Sequence, residues 1–287
     1  MKLDVRELAE QANNLMGKDV ILEGWIRNHR KQKEFGFIEF YDGTSFKNLQ
    51  IVYDNKLANF DAITKYMVGS SIRVYGKLVE SQGKQEFEIS ASNIELLGDC
   101  DESYPIQPKR HTREFLREVG YLRPRTNLFR AVFRIRSLAA MAIHEYFQDR
   151  GYVYLHAPLI TGSDCEGAGE MFQVTTLDLE NLKKENGSVD YKQDFFKKRA
   201  SLTVSGQLQG EAFAMAFKKI YTFGPTFRAE NSNTKTHAAE FWMIEPEIAF
   251  CDLDGLMDIE EDVLKYIIRY VLEKGKNEME FFNEFVE

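Results

Sequence analysis

Cysteine is scarce in these 287 residues: Cys100, Cys165 and Cys251 are widely spaced and form no CxxC pair. An odd, scattered set excludes a disulfide framework and a cysteine-rich zinc site, so all three are read as reduced thiols and no metal ligand is assigned. No apolar run approaches the roughly 20 residues of a membrane-spanning helix. The opening MKLDVRELAEQANN is polar and charged, unlike a signal peptide. A soluble, cytoplasmic protein with no membrane partner is expected. Neither GxGxxG nor GxxxxGKS/T occurs and βαβ spacing is absent, which argues against a Rossmann or P-loop nucleotide site.

Hydrophobic residues make up 44% and aromatics 13%, enough to fill conventional cores and to exclude disorder. At roughly 100–200 residues per domain the length suits about two domains. Lys and Arg number 37 against 45 Asp and Glu, a net −8, but the charge is blocked along the chain. Pro105 to Arg136 carries nine cations and two anions, a local +7, and a smaller cluster joins Arg27, His29, Arg30, Lys31 and Lys33. After Phe250 there are eleven acids and four bases. Taken alone each basic block reads as solvated surface; flanking a small β-domain, the two together suit phosphates.

From Val20 to Leu97 the pattern has period two: VILEGWI, FGFIEFY, NLQIVY, SIRVYGKLV and QEFEISA, separated by turn residues. Five short strands, with the helical spacing of Leu57, Phe60, Ile63 and Met67 between the third and fourth, predict an OB-fold barrel. The strands alone also suit an SH3-like barrel or a small sandwich. Leu49, Ile51 and Tyr53 are expected to point inward and Gln50 outward; with Ile38 and Phe40 in the core, Phe37 faces out. An exposed ring beside an amide and cations is what single-stranded nucleic acid needs, although Phe37 packed under a loop fits the same pattern.

The polar stretch GDCDESYPIQP reads as a boundary. The expected division is an OB-fold domain over 1–102, a basic linker over 103–126, and a second domain over 127–287. Apolar residues from Leu128 to Tyr146 follow helical spacing up to Gly151. A Gly-rich loop spans 162–170, Gly206 to Phe217 reads as helix, and IYTFGPTFR and EFWMIEPEIAF straddle a polar loop as a long antiparallel hairpin. Residues 252–273 form a last acidic amphipathic helix.

The string Phe227-Arg228-Ala229-Glu230, a loop, then Glu240-Phe241 and Glu245-Pro246-Glu247 resembles motif 2 of the class II aminoacyl-tRNA synthetases, and Gly151 to Ile160 with Pro158 resembles their motif 1. CEGAGEMFQV, SGQLQGEAFAMAF and FRAENSNTKTHAAEFWMIEPE are similar to the asparaginyl enzymes of class IIb. The resemblance runs from about residue 18 to the C-terminus. It implies a multidomain chain: an all-β OB-fold anticodon-binding domain, then a partial α+β catalytic domain on an antiparallel sheet. It further implies ATP and Mg2+ as cofactors, asparagine and tRNA-Asn as substrates, and a homodimer through the motif 1 helix. Arg228 and Glu230 take the catalytic roles; Arg228, Glu230, His237 and Phe241 hold ATP, with Phe241 under the adenine and His237 toward the γ-phosphate. Glu166, Ser205, Gln207 and Gln209 hold the amino acid. Arg27, Phe37 and Gln50 meet the anticodon. Because Asn and Asp are nearly isosteric, selection rests on placing donors and acceptors. Gly169 after Ala168, where aspartate enzymes carry a basic residue, favours the neutral side chain.

Motif 3, a Gly-rich stretch ending in Glu-Arg, does not occur, and with it go the expected magnesium ligands. The reading is therefore the N-terminal part of an enzyme of roughly 450 residues, one that folds and binds tRNA but does not complete adenylate formation efficiently. Alternatives are an aspartyl enzyme of relaxed specificity, or a tRNA-binding module with a degenerate synthetase-like domain.

Overall fold

The computed structural model describes residues 1–286 except Lys84, Glu166, Ala168 and Gly169. Its contacts divide the chain into two compact units, Met1–Ser137 with Leu272–Glu287, and Leu138–Val271. This differs from the division expected at residue 127: the start of the long helix and the last residues group with the N-terminal unit.

The first unit opens with two short helices, α1 (Val5–Glu10) and α2 (Ala12–Leu15). Asp4 caps α1 by accepting from the Glu7 N–H while the Glu7 carboxylate accepts from the Asp4 N–H, so two orphan helix donors are satisfied reciprocally. Strands β1 (Asp19–Lys31), β2 (Phe35–Tyr41), β3 (Leu49–Asp54), β4 (Ser71–Glu80) and β5 (Phe87–Gly98) close into a barrel in the order β1-β2-β3-β5-β4. Among the five barrel strands β3 and β5 pair in parallel and the other neighbours antiparallel. Alternation fills the interior: Leu22, Ile26, Ile38, Phe40, Ile51, Ile72, Val74, Leu78, Ile89 and Ile94 are all buried. Burying each such side chain contributes about 1.5–3 kcal/mol. The inward placing of Leu49, Ile51 and Tyr53 is as expected. The helix between β3 and β4, α3 (Phe60–Ile63), is a single turn whose Ile63 plugs the barrel.

The stretch read as a linker has a small core of its own. Ile106, Leu116 on α4 (Arg113–Glu118) and Leu122 are buried, packed against Tyr104, Phe115, Val119 and Phe129. The helix α5 (Asn127–Asp149) follows, and Gly151, at φ +76°, ends it in the left-handed region that glycine tolerates.

In the second unit β6 (Val153–Tyr154) lies parallel to one arm of a long hairpin. Two-residue strands β7 (Ile160–Thr161) and β8 (Gln173–Val174) flank β11 (Ala200–Leu202), and β9 (Lys184–Glu185) pairs with β10 (Ser188–Val189). The helix α6 (Gln207–Phe217) leads into the hairpin, β12 (Lys219–Phe227) and β13 (Glu240–Ile248), whose nine register pairs run without a shift. Gly210 lets α6 approach closely, since a Cβ there would lie 2.9 Å from Glu247 Cγ. On the other side of the hairpin Tyr221 and Phe223 pack with Ile143, Tyr146, Phe147 and Tyr152, and with Val263, Tyr266 and Ile267 of α7 (Leu253–Lys274). Asp262 on α7 accepts from the Tyr146 hydroxyl at 2.9 Å and from Arg150 at 3.1 Å. The last helix, α8 (Lys276–Phe285), belongs to the first unit: its buried Glu278 pairs with Arg134, and Phe281 meets Phe46 edge-on at 5.5 Å. No helix among the described residues is long and apolar enough to cross a membrane.

Candidate functional site

In the β12–β13 ladder Thr222 sits opposite Glu245, Gly224 opposite Met243, and Thr226 opposite Phe241. Side chains alternate along a strand, so these six residues share one face, while Tyr221 and Phe223 on the other face join the core. Gly224 leaves the middle of the face open: a Cβ there would meet nothing within 4 Å. Arg228 continues the series just past β12, where its backbone N–H donates to Ala239 O at 3.0 Å.

The Arg228 guanidinium stands 5.4 Å from the Phe241 ring centroid, with Nη2 4.0 Å from Met243 Sδ. Among the described residues its buried Nε has no hydrogen-bond partner. An orphaned nitrogen on a permanent cation is a costly arrangement, of about 1–3 kcal/mol or more, unless an anion completes it. Arg228, Glu230, Ser232, Thr236, His237 and Phe241 line a cavity of about 370 Å³. The Glu230 carboxylate and His237 Nε2 are 3.8 Å apart, and His237 Nδ1 lies 2.7 Å from Thr234 Oγ1. The four residues assigned to ATP by resemblance are thus brought together in one concavity.

The residues assigned to the amino acid are only partly gathered. Glu245 is the hub: Ser205 Oγ and Thr222 Oγ1 donate to its carboxylate, the latter at 2.9 Å, and the Gly206 N–H donates at 3.1 Å. Ser205 Oγ also accepts from the Gln207 N–H at 3.0 Å, so its single proton is committed to Glu245. Gln207 donates to Glu211 at 2.9 Å and accepts from Cys165 Sγ at 3.4 Å. Gln209 sits two residues further along α6, on a different face of that helix from Gln207. Glu166 lies outside the described residues, as do Ala168 and Gly169; Gly167 between them has φ +64°. Where the loop rejoins the body, Glu170 O accepts from the Ala229 N–H at 2.7 Å, beside Arg228. A cavity of about 150 Å³ next to Glu245 is walled by Tyr154, His156, Thr203, Gly206 and Trp242.

On the barrel, Phe37 is half-buried on the outer face with the Arg30 guanidinium 5.2 Å over its ring and Phe35 edge-on at 5.4 Å. Arg30 Nη2 donates to Gln50 Oε1 at 3.2 Å, and Gln50 Nε2 donates to Glu88 at 2.8 Å. Arg27 is placed elsewhere: the β1–β2 register shifts between Ile26 and Asn28, and the bulged Arg27 donates to Arg125 O. His29 is turned inward. Its Nδ1 donates to Tyr66 O at 3.0 Å and its Nε2 accepts from the Tyr53 hydroxyl at 2.7 Å. Burial holds the imidazole pKa below its usual value, so it is not one of the surface cations.

Two stretches of the chain match protein families: residues 112–287 match tRNA synthetases class II (D, K and N), and residues 20–97 match the OB-fold nucleic acid binding domain. The chain belongs to the class II tRNA synthetases. Among curated relatives, an asparagine–tRNA ligase of Clostridium novyi is 59% identical over 285 residues, covering 99% of this chain and 62% of that protein. One of Acholeplasma laidlawii is 59% identical over 290 residues, covering 100% and 63%. Among solved structures, asparaginyl-tRNA synthetase from Pyrococcus horikoshii complexed with asparaginyl-adenylate superposes with a TM-score of 0.82 at 27% identity, covering 98% of this chain and 61% of that one. The chain therefore spans a little over three-fifths of the length of the relatives it matches.

In this class II synthetase chain the contacts of Glu245 and Arg30 are not evident from the sequence. Glu245 was visible inside the Glu-Pro-Glu string, and counting in twos from Phe241 would have placed it on the same face. Arg30 gave no signal distinct from its basic neighbours. Among the described residues no group of three or more His, Cys, Asp or Glu side chains could hold a metal, so the described residues do not fit a magnesium site.

Proposed function

We propose that this chain supplies the anticodon-binding barrel and the motif 1 and motif 2 elements of a cytoplasmic asparagine–tRNA ligase that acts as a homodimer through its motif 1 helix. In the first reaction an asparagine carboxylate oxygen attacks the α-phosphorus of ATP; a C–O–P linkage forms and pyrophosphate leaves. In the second, the terminal ribose hydroxyl of tRNA-Asn attacks the acyl carbon and AMP leaves.

The chain's own residues supply position and charge. A planar guanidinium can donate to two oxygens at once, which an ammonium cannot do in the same geometry, so Arg228 can bridge the carboxylate and the α-phosphate. Phe241, flat beside it, offers a face to adenine; Glu230 accepts from the adenine amine, and His237 approaches the γ-phosphate. Gln207, with Gln209 and the Glu166 loop, meets the amino acid, while Ser205 and Glu245 fix the turn that starts α6. On the barrel, Phe37 stacks an anticodon base and Gln50 reads an edge, with Arg30 and Arg27 near phosphates.

The observation that carries this reading is the Arg228 guanidinium in the lining of a cavity shared with Phe241, its buried Nε without a hydrogen-bond partner among the described residues. Calorimetric titration with non-hydrolysable asparaginyl and aspartyl sulfamoyl-adenosines tests it. The asparaginyl analogue should bind roughly 10-fold or more tightly than the aspartyl one, because only the amide presents both a donor and an acceptor. Equal binding, or a preference for the aspartyl analogue, contradicts the assignment.

A further inference from the structure

The segment Phe195-Phe196-Lys197-Lys198-Arg199 lies outside every role assigned so far. All five residues are exposed, Phe195 at 74% and Phe196 at 43%. Two large rings do not remain in water without a reason, and here they are held out by a built turn. Asp194, buried beneath them, accepts from the Thr175 and Thr176 hydroxyls at 2.7 and 2.9 Å, from the Thr176 N–H at 2.9 Å and from the Phe195 N–H at 2.8 Å. Lys197, at φ +55°, closes the turn by donating its N–H to Asp194 O at 3.0 Å. The rings meet edge-on, centroids 4.8 Å apart, so each keeps a face available.

Charge and position narrow the partner. The one acid inside the turn is consumed by its own hydrogen bonds, which leaves three successive cations beside the rings. The segment runs directly into β11, and Arg199 lines a cavity of about 440 Å³ with Asp164, Glu170, Met171 and Ser201. Glu170 is the residue whose carbonyl accepts from Ala229, next to Arg228. Aromatic faces interleaved with cations bind unpaired nucleotides, because every base has a face to stack and every phosphate a charge to meet.

We propose that Phe195 and Phe196, with Lys197, Lys198 and Arg199, form the platform on which the unpaired 3′ end of the tRNA stacks on its way to the Arg228 cavity. This rests on the proposed tRNA-acylating function, whose second step requires that end to reach the cavity. The platform holds the strand by stacking and by phosphate contacts, without reading base identity.

The test uses two probes at fixed salt, a complete tRNA-Asn transcript and the same transcript trimmed of its unpaired 3′ nucleotides. The chain should bind the complete transcript more tightly. Phe195→Ala/Phe196→Ala should weaken the complete transcript roughly 10-fold, to the level of the trimmed one, and leave the trimmed one unchanged. Phe195→Tyr/Phe196→Tyr, which keeps both rings, should restore the difference. Lys197→Gln/Lys198→Gln should lower the salt slope for the complete transcript by about 2. Equal binding of the two transcripts by the unaltered chain, an alanine pair that behaves as the unaltered chain does, or equal loss of both transcripts overturns the platform. Those results leave the functional reading standing, whereas failure to bind either transcript removes both.

Discussion

Arg228 and His29 are both nitrogen-rich side chains drawn into the protein, and their partners give them opposite characters. Arg228 stands beside an aromatic face, and among the described residues its buried Nε has no hydrogen-bond partner. His29 is saturated in its neutral form. A carbonyl can only accept, so Tyr66 O fixes the proton on Nδ1, and the buried Tyr53 hydroxyl, its pKa pushed up to about 12 by burial, donates to Nε2. Protonation would make Nε2 a donor and force Tyr53 to reverse. Because the folded-state pKa is depressed, the unfolded chain binds the proton more readily; the stabilisation is complete above the ordinary histidine value of about 6.5 and declines as pH falls below it. Denaturant midpoints from pH 7.5 to 5 should therefore fall for the natural chain and fall less for His29→Gln; parallel slopes would remove His29 as the cause. The sequence displayed His29 as one of five basic residues, and only the tertiary contact separates it from Arg30.

At the scale of elements, the bulge at Arg27 explains why simple alternation goes astray in β1. Val20, Leu22 and Ile26 face inward; continued in twos, that series would bury Arg30 and expose His29. The extra residue between Ile26 and Asn28 reverses the parity, so His29 turns in and Arg30 comes out over Phe37. The barrel strands and the β12–β13 hairpin were legible because each is long enough to show period two. The two-residue strands β7 and β8 were not, since their form comes from pairing with β11 rather than from any local pattern. Close packing at the β2–β3 crossing gives a direct test. A Cβ at Gly36 would overlap the Tyr53 ring, which is fully buried and bonded to His29. Gly36→Ala should destabilise the barrel by about 1–3 kcal/mol in urea unfolding; an unchanged midpoint would show that the ring can move aside.

Across the whole molecule, the +7 block that sequence reading left open between solvated surface and phosphate contact turns out to be divided in its roles. Arg130 is buried in the first unit, donating to Asn48 Oδ1 at 2.9 Å, Ser45 O at 2.9 Å and Phe46 O at 2.8 Å. Burial, and the nearby positive charge of Arg27, bring its pKa down to about 10. Arg134 pairs with Glu278, which is why α8 groups with the first unit although it lies at the far end of the sequence. No local pattern in either segment could announce such pairings across 82 to 144 residues. Arg130→Met would remove the donor to three half-buried acceptors and should cost about 3 kcal/mol. The protein has two tryptophans, Trp25 in the barrel and Trp242 on β13, so in a Trp242→Phe background Trp25 fluorescence reports the first unit alone. The Arg130→Met loss should appear there; an unshifted Trp25 transition would mean that Arg130 does not hold that unit together.

The proposed role of Arg228 is to grip two anions that repel one another. Its most direct test is the dissociation constant of asparaginyl sulfamoyl-adenosine for the natural chain and for Arg228→Lys, with circular dichroism confirming an unchanged fold. A lysine keeps the charge and loses the planar fork, so binding should weaken by roughly 100-fold, on the order of 2–3 kcal/mol. Undiminished affinity in the lysine variant would mean that the fork is not what holds the adenylate.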